Sequence, residues 1–117
     1  CTGRAVGIAP ARELEVLAYL DARELVGSEV YTRCKLPVGL RPDGPTVEAW
    51  CYVARPDNPD YAGHLDRTAI LTHVRQGHGL AGSCADYLRN TVLHLREMGI
   101  AEPELEELLA ALDLPSR

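Results

Sequence analysis

The sequence has no phenylalanine, one methionine and one tryptophan, and aromatic residues make up only 5% of its 117 positions. Its core must therefore be built from Leu, Val, Ile and Ala. No apolar run is longer than a few residues, which excludes a membrane-spanning helix. No Cys-x-x-C pair is present, and the spacings of Cys1, Cys34, Cys51 and Cys84 match no zinc motif. No repeat and no low-complexity segment occurs. An excess of basic residues is lacking too. Twelve Lys and Arg stand against 17 Asp and Glu, for a net charge of -5. That balance argues against nucleic acid, whose affinity comes from neutralised phosphates, and against an anionic membrane surface. The expected partner is a small molecule.

What is present is ordinary for one folded domain. The length suits a single core, and 46% hydrophobic with 25% charged residues excludes a disordered chain. Gly3 to Ala9 is short and apolar and reads as a strand. Pro10 opens a helix over Ala11 to Glu24, with Glu13 and Glu15 in its first turn as the helix dipole prefers. Leu14, Leu17 and Ala18 share a stripe, continued by Leu20. Ser28 to Leu40 has period two, placing Thr32, Cys34, Leu36 and Val38 on one face. Tyr31, Arg33 and Lys35 fall on a wet face. The turn signal Arg41-Pro42-Asp43-Gly44-Pro45 joins this strand to a second, Thr46 to Ala54, as an antiparallel hairpin. Asp66 caps a helix ending at Gln76 before Gly77. Ser83 with Asp86 resembles a capping box for a helix stopped at Gly99. Pro103 begins a last, acidic amphipathic helix. The expected order is β-α-β-β-α-α-α, an α+β domain.

Glu24 is the candidate for chemistry. It lies four residues after Leu20 and seven after Leu17, on the face that should point inward. Burial and the negative end of the helix dipole both act to raise a carboxyl pKa there, as a general acid/base near neutral pH requires. The alternative is a solvated glutamate at a frayed helix end.

Other candidates favour plain readings. His64, His73, His78 and His94 find no completing ligands, and the five-residue step from His73 to His78 does not align them on one helix face. No metal site is expected. Gly77 to Gly82 lacks the Lys-Ser/Thr ending of a phosphate loop. Cys34 and Cys51 lie on one hairpin and approach each other, and a reducing compartment keeps them as thiols. A cytoplasmic location follows from the same reading. Cys84, at a helix start, reads as a simple replacement. Trp50 and Tyr52 share a strand face, where they either stack on a ligand or close the end of a barrel.

A set of ordered motifs adds to this. Tyr19-Leu20-Asp21-Ala22-Arg23-Glu24 resembles the tyrosine-leucine-aspartate-x-arginine-glutamate signature of ChaC-type γ-glutamylcyclotransferases. Cys1-Thr2-Gly3-Arg4-Ala5, Val30-Tyr31 with Leu36-Pro37-Val38, and Ala49 to Ala54 are similar to that family's strands. Asn58-Pro59-Asp60-Tyr61-Ala62-Gly63 resembles its asparagine-proline-x-tyrosine-x-glycine loop, and Asp86-Tyr87-Leu88 its helix start. The resemblance implies a mixed β-barrel with surrounding helices, no cofactor, and cleavage of glutathione or a related γ-glutamyl compound to 5-oxoproline and an amine. It maps the general acid/base onto Glu24 and substrate contacts onto Tyr52 and Tyr61.

Departures accompany it. The family's tyrosine-glycine-serine-leucine loop would precede Cys1. Val6 stands where a tyrosine is expected, and Cys84 where an asparagine is expected. The chain is thus expected to be one γ-glutamylcyclotransferase-like domain over residues 1–117 lacking its N-terminal part. An open sheet edge there would invite self-association. The alternative function is a truncated, inactive relative that acts as a binding module.

Overall fold

The computed structural model describes residues 1–25, 27 and 29–114. It divides into two compact units, Arg4–Gly63 and Cys1–Gly3 with His64–Arg117. Both mix helix with antiparallel strands, so the α+β expectation holds.

The unit Arg4–Gly63 begins with chain in no regular element and a single turn of 3-10 helix, Pro10–Arg12, leading into α1, Glu13–Glu24. Its strands are β1, Tyr31–Gly39, and β2, Thr46–Ala54, paired antiparallel from Tyr31 opposite Ala54 to Gly39 opposite Thr46. The second strand has the bounds its sequence pattern gives. Position 28, the expected start of the first, lies outside the described residues. The turn closes where Gly44 N donates to Leu40 O at 2.8 Å and Leu40 N to Pro45 O at 3.0 Å. A Cβ at Gly44 would sit 2.8 Å from both the Leu40 Cβ and its carbonyl oxygen, so only glycine fits.

Several expectations are corrected here. Gly3 to Ala9 forms no strand. A lone apolar segment without a ladder partner leaves its backbone groups to water. Among the described residues the strands make two separate two-stranded sheets, and no barrel closes. Leu14 is 85% exposed, and Ala18 is exposed as well. The covered face of α1 is instead Glu13, Val16, Leu17, Leu20, Asp21 and Glu24, with Leu17 buried. Helical spacing of three and four permits either stripe. The hairpin decides, because its polar side chains bond to carboxylates on the second.

The helical unit holds α2, Arg67–Gln76, α3, Cys84–Glu97, and α4, Pro103–Asp113. The Asp66 side chain accepts from Ala69 N at 2.8 Å and the Ser83 hydroxyl from Asp86 N at 3.1 Å, so both expected caps form. Two residues of strand on each side, β3 His78–Gly79 and β4 Gly82–Ser83, fold what reads as a bare glycine connection into a small hairpin. Gly77 ends α2 with an ordinary φ of -68°. It is glycine for space, since a Cβ would meet Cys84 Cβ and His73 O at 2.9 Å. Gly99, at φ 70°, is a left-handed stop after α3. Leu71, Leu88 and Val92 form the buried core of this unit. Its rim is arginine-rich. Arg96 bonds Glu106, Arg89 reaches Asp113 at 3.0 Å, and Arg67 pairs with Glu107. The Arg96 guanidinium holds the Glu106 carboxyl below its usual range.

Candidate functional site

The expected site residues Glu24, Tyr52 and Tyr61 all belong to the unit Arg4–Gly63. Glu24 is half-buried in the last turn of α1. One turn earlier on the same helix face lies Asp21, and it joins the helix to the hairpin. The Tyr52 hydroxyl donates to Asp21 Oδ1 at 2.7 Å. Arg33 Nη1 donates to Asp21 Oδ2 at 2.9 Å, with the two side chains 28% and 32% exposed. Each carboxylate oxygen therefore has its own partner. Tyr52 and Arg33 face each other across β1 and β2 in register.

The strand face expected to be wet is thus the one that meets α1. Trp50 Nε1 donates to Glu13 Oε1 at 2.9 Å. The Trp50 ring carries Arg33 at 4.9 Å and Lys35 at 4.8 Å from its centre, two cation–π contacts. The opposite face, with Thr32, Cys34, Leu36, Val38, Val47, Ala49, Cys51 and Val53, is half-buried or exposed.

Partial burial, first, and the bond to Asp21 raise the Tyr52 pKa above its ordinary value of 10.0, and Arg33 opposes them only in part. Tyr52 stays a neutral phenol at neutral pH. Since its folded pKa lies above the unfolded one, the folded state holds more protons between the two values. Its contribution to stability is complete below about pH 10 and is lost as pH rises through the folded value. An alkaline titration followed by tyrosinate absorbance should show Tyr52 ionising above 10, and Tyr52→Phe should delete that late step. A Tyr52 midpoint at or below 10 would contradict the Asp21 contact.

Tyr61 is half-buried and placed by its own loop. Asn58 Oδ1 accepts from Asp60 N at 2.8 Å, and Asn58 O accepts from Tyr61 N at 3.0 Å, so one asparagine builds the turn. The Tyr61 ring then lies back over Gly63, where any Cβ would meet ring carbon Cζ and the hydroxyl oxygen at 2.3 Å.

The profile of ChaC-like proteins matches residues 1–114. The chain belongs to the ChaC-like family. Two curated relatives agree. Glutathione-specific gamma-glutamylcyclotransferase 1 of Danio rerio is 32% identical over 118 aligned positions, covering 96% of this chain and 59% of that protein. Glutathione-specific gamma-glutamylcyclotransferase of Escherichia coli K12 is 30% identical over 115 positions, covering 94% of this chain and 48% of that protein. This ChaC-like chain thus spans about half to three-fifths of the length of the relatives it matches.

Sequence reasoning missed Asp21, Arg33 and Glu13 as parts of the ChaC-like chain's polar cluster. The signal was present for Asp21, which is four residues after Leu17 and shares its face. Arg33 could not be paired without knowing which hairpin face meets the helix. A groove lined by Arg67, Ile70, Glu104, Glu107 and Leu108 belongs to the helical unit and contains none of the expected site residues. Among the described residues no three His, Cys, Asp or Glu side chains gather to hold a metal, and no helix is long and apolar enough to cross a membrane.

Proposed function

We propose that the chain takes part in cleaving glutathione to 5-oxoproline and cysteinylglycine, with Glu24 as general acid/base. The observation that carries this reading is the Tyr19–Glu24 run on α1, where Glu24 stands one turn from Asp21, the residue that accepts from Tyr52. The names of both curated relatives support the substrate class. In the reaction the substrate's α-amino nitrogen attacks its own γ-carbonyl carbon. A C–N bond forms within the five-membered lactam, and the C–N bond to the cysteine nitrogen breaks. Glu24 takes a proton from the attacking amine and returns it to the leaving amine, so no proton is lost overall. Ring closure is intramolecular, and holding the γ-glutamyl chain folded supplies much of the rate, on the order of 7–11 kcal/mol in well-oriented cases.

The surroundings suit that substrate. The Tyr52 hydroxyl donates its one O–H to Asp21, so towards a ligand it is an acceptor. An N–H of the substrate's α-ammonium is the complementary donor. Arg33 and Lys35 add positive charge beside Trp50 for a substrate with two carboxylates. Incubation with glutathione and assay for 5-oxoproline and cysteinylglycine in equal amounts tests the reading. Equimolar release is the expected result. No release by this chain, either alone or extended to the length of its relatives, would leave a binding module as the better description.

A further inference from the structure

We propose that Cys34 and Cys51 form a reversible cross-strand disulfide by exchange with glutathione disulfide. The two residues stand directly opposite each other in the β1–β2 ladder, and both are free thiols in this structure. Side chains of directly opposed residues project from the same face of a sheet. Here that face is the one turned away from the Asp21–Tyr52 contact. Both cysteines are half-buried, while their face neighbours Leu36 and Val53 are 40% and 43% exposed, which leaves the pair open to a small oxidant. Cys51 Sγ lies 3.7 Å from Ala49 O, a weak contact that does not commit it.

The ladder also says what kind of disulfide this is. Arg55 N donates to Val30 O at one end, and Leu40 N to Pro45 O at the other. Both are bonds between residues that continue the register as opposed pairs. Hydrogen-bonded and non-hydrogen-bonded pairs alternate along an antiparallel ladder. Counting inward by two from either end makes Cys34 and Cys51 a hydrogen-bonded pair. Such pairs have Cα atoms about 5.5 Å apart, inside the range a disulfide accepts. Their Cβ atoms stand near the upper end of the usual spacing, about 5.5 Å, whereas a disulfide draws them to roughly 3.5–4.5 Å. The bond can therefore form without unpairing the strands, but under strain. Strained and accessible disulfides are the easily reduced ones. This is a geometry for a switch and not for a permanent staple.

The exchange balances. One cysteine thiolate attacks a sulfur of glutathione disulfide and releases one glutathione thiolate. The second attacks the resulting mixed disulfide and releases the other. Two electrons pass from the protein thiols to the oxidant, and the two thiol protons go to the released thiolates or to solvent. Because Tyr52 follows Cys51, the backbone shift that closes the bond is carried to the Asp21–Tyr52 contact on the other face. The inference does not depend on the proposed cyclisation.

The test is to equilibrate the folded chain with glutathione buffers of graded ratio, quench with acid, alkylate, and map the peptides by mass spectrometry. The expected result is a Cys34–Cys51 crosslink whose occupancy follows the ratio in both directions. It should survive Cys1→Ser with Cys84→Ser and vanish in Cys34→Ser and in Cys51→Ser. The same treatment in denaturant should scatter the pairing among all four cysteines. Stable mixed disulfides on Cys34 and Cys51 without a crosslink would overturn the proposal, as would no oxidation at any ratio. A crosslink that formed equally well in denaturant would overturn it too.

Discussion

Glu24→Gln is expected to lower kcat for 5-oxoproline release by roughly 10²–10⁴-fold, the usual weight of a positioned acid/base. KM should change little, because the amide keeps the size and hydrogen-bonding reach of the carboxyl and loses only the ability to carry a proton. Thermal unfolding should be nearly unchanged, since Glu24 is half-buried at a helix end and contributes no core packing. Steady-state kinetics on parent and variant, with melting curves in parallel, make the check. Loss of less than about tenfold in kcat would remove Glu24 from the acid/base role.

The second large effect is expected at Asp21. Asp21→Ala leaves the half-buried Arg33 guanidinium without its carboxylate and the Tyr52 hydroxyl without its acceptor. Hydrogen bonds to charged groups contribute about 1.5–3 kcal/mol when buried, and partial exposure trims that figure. A destabilisation of roughly 1–2 kcal/mol is expected in denaturant unfolding. Activity should fall as well, because the hydroxyl that Asp21 holds by accepting its hydrogen bond becomes free to turn. Asp21→Asn separates the two roles. Its amide oxygen still accepts from Tyr52, while the charge facing Arg33 is gone. Activity closer to the parent in Asp21→Asn than in Asp21→Ala is the expected order. Equal loss in both would mean that charge, not the orientation of Tyr52, is what Asp21 supplies. Stability of Asp21→Ala within about 0.5 kcal/mol of the parent would mean the network does not hold the helix to the hairpin.

Much of the fold was legible because its signals are local. The period-two runs and the Pro-Asp-Gly-Pro turn define the β1–β2 hairpin. Asp66 and Ser83 cap their helices with side chains three residues from the amides they bind. What failed was long-range. Gly3 to Ala9 has the apolar look of a strand, but a strand exists only with a neighbour. Which hairpin face meets α1 was not legible for a similar reason. Alternation says that two faces differ, and Arg33, Lys35 and Tyr31 look like the solvated one. The helix overturns this because its own covered face carries Glu13 and Asp21, which accept from the Trp50 indole and the Arg33 guanidinium of the hairpin. The tiny β3–β4 hairpin escaped because two-residue strands leave no period to read.

The loop from Asn58 to Gly63 has a consequence for how the chain tolerates change. A tyrosine ring folded back over its own backbone needs a hole two residues ahead, and the hydrogen atom on the Gly63 Cα is that hole. Tyr61 and Gly63 are therefore a single shape spelled at two positions. A methyl group added at 63 would evict the ring at 61 while leaving every backbone bond of the Asn58 turn intact. The damage would surface one aromatic away from the altered residue, in a segment that composition alone marks as spare.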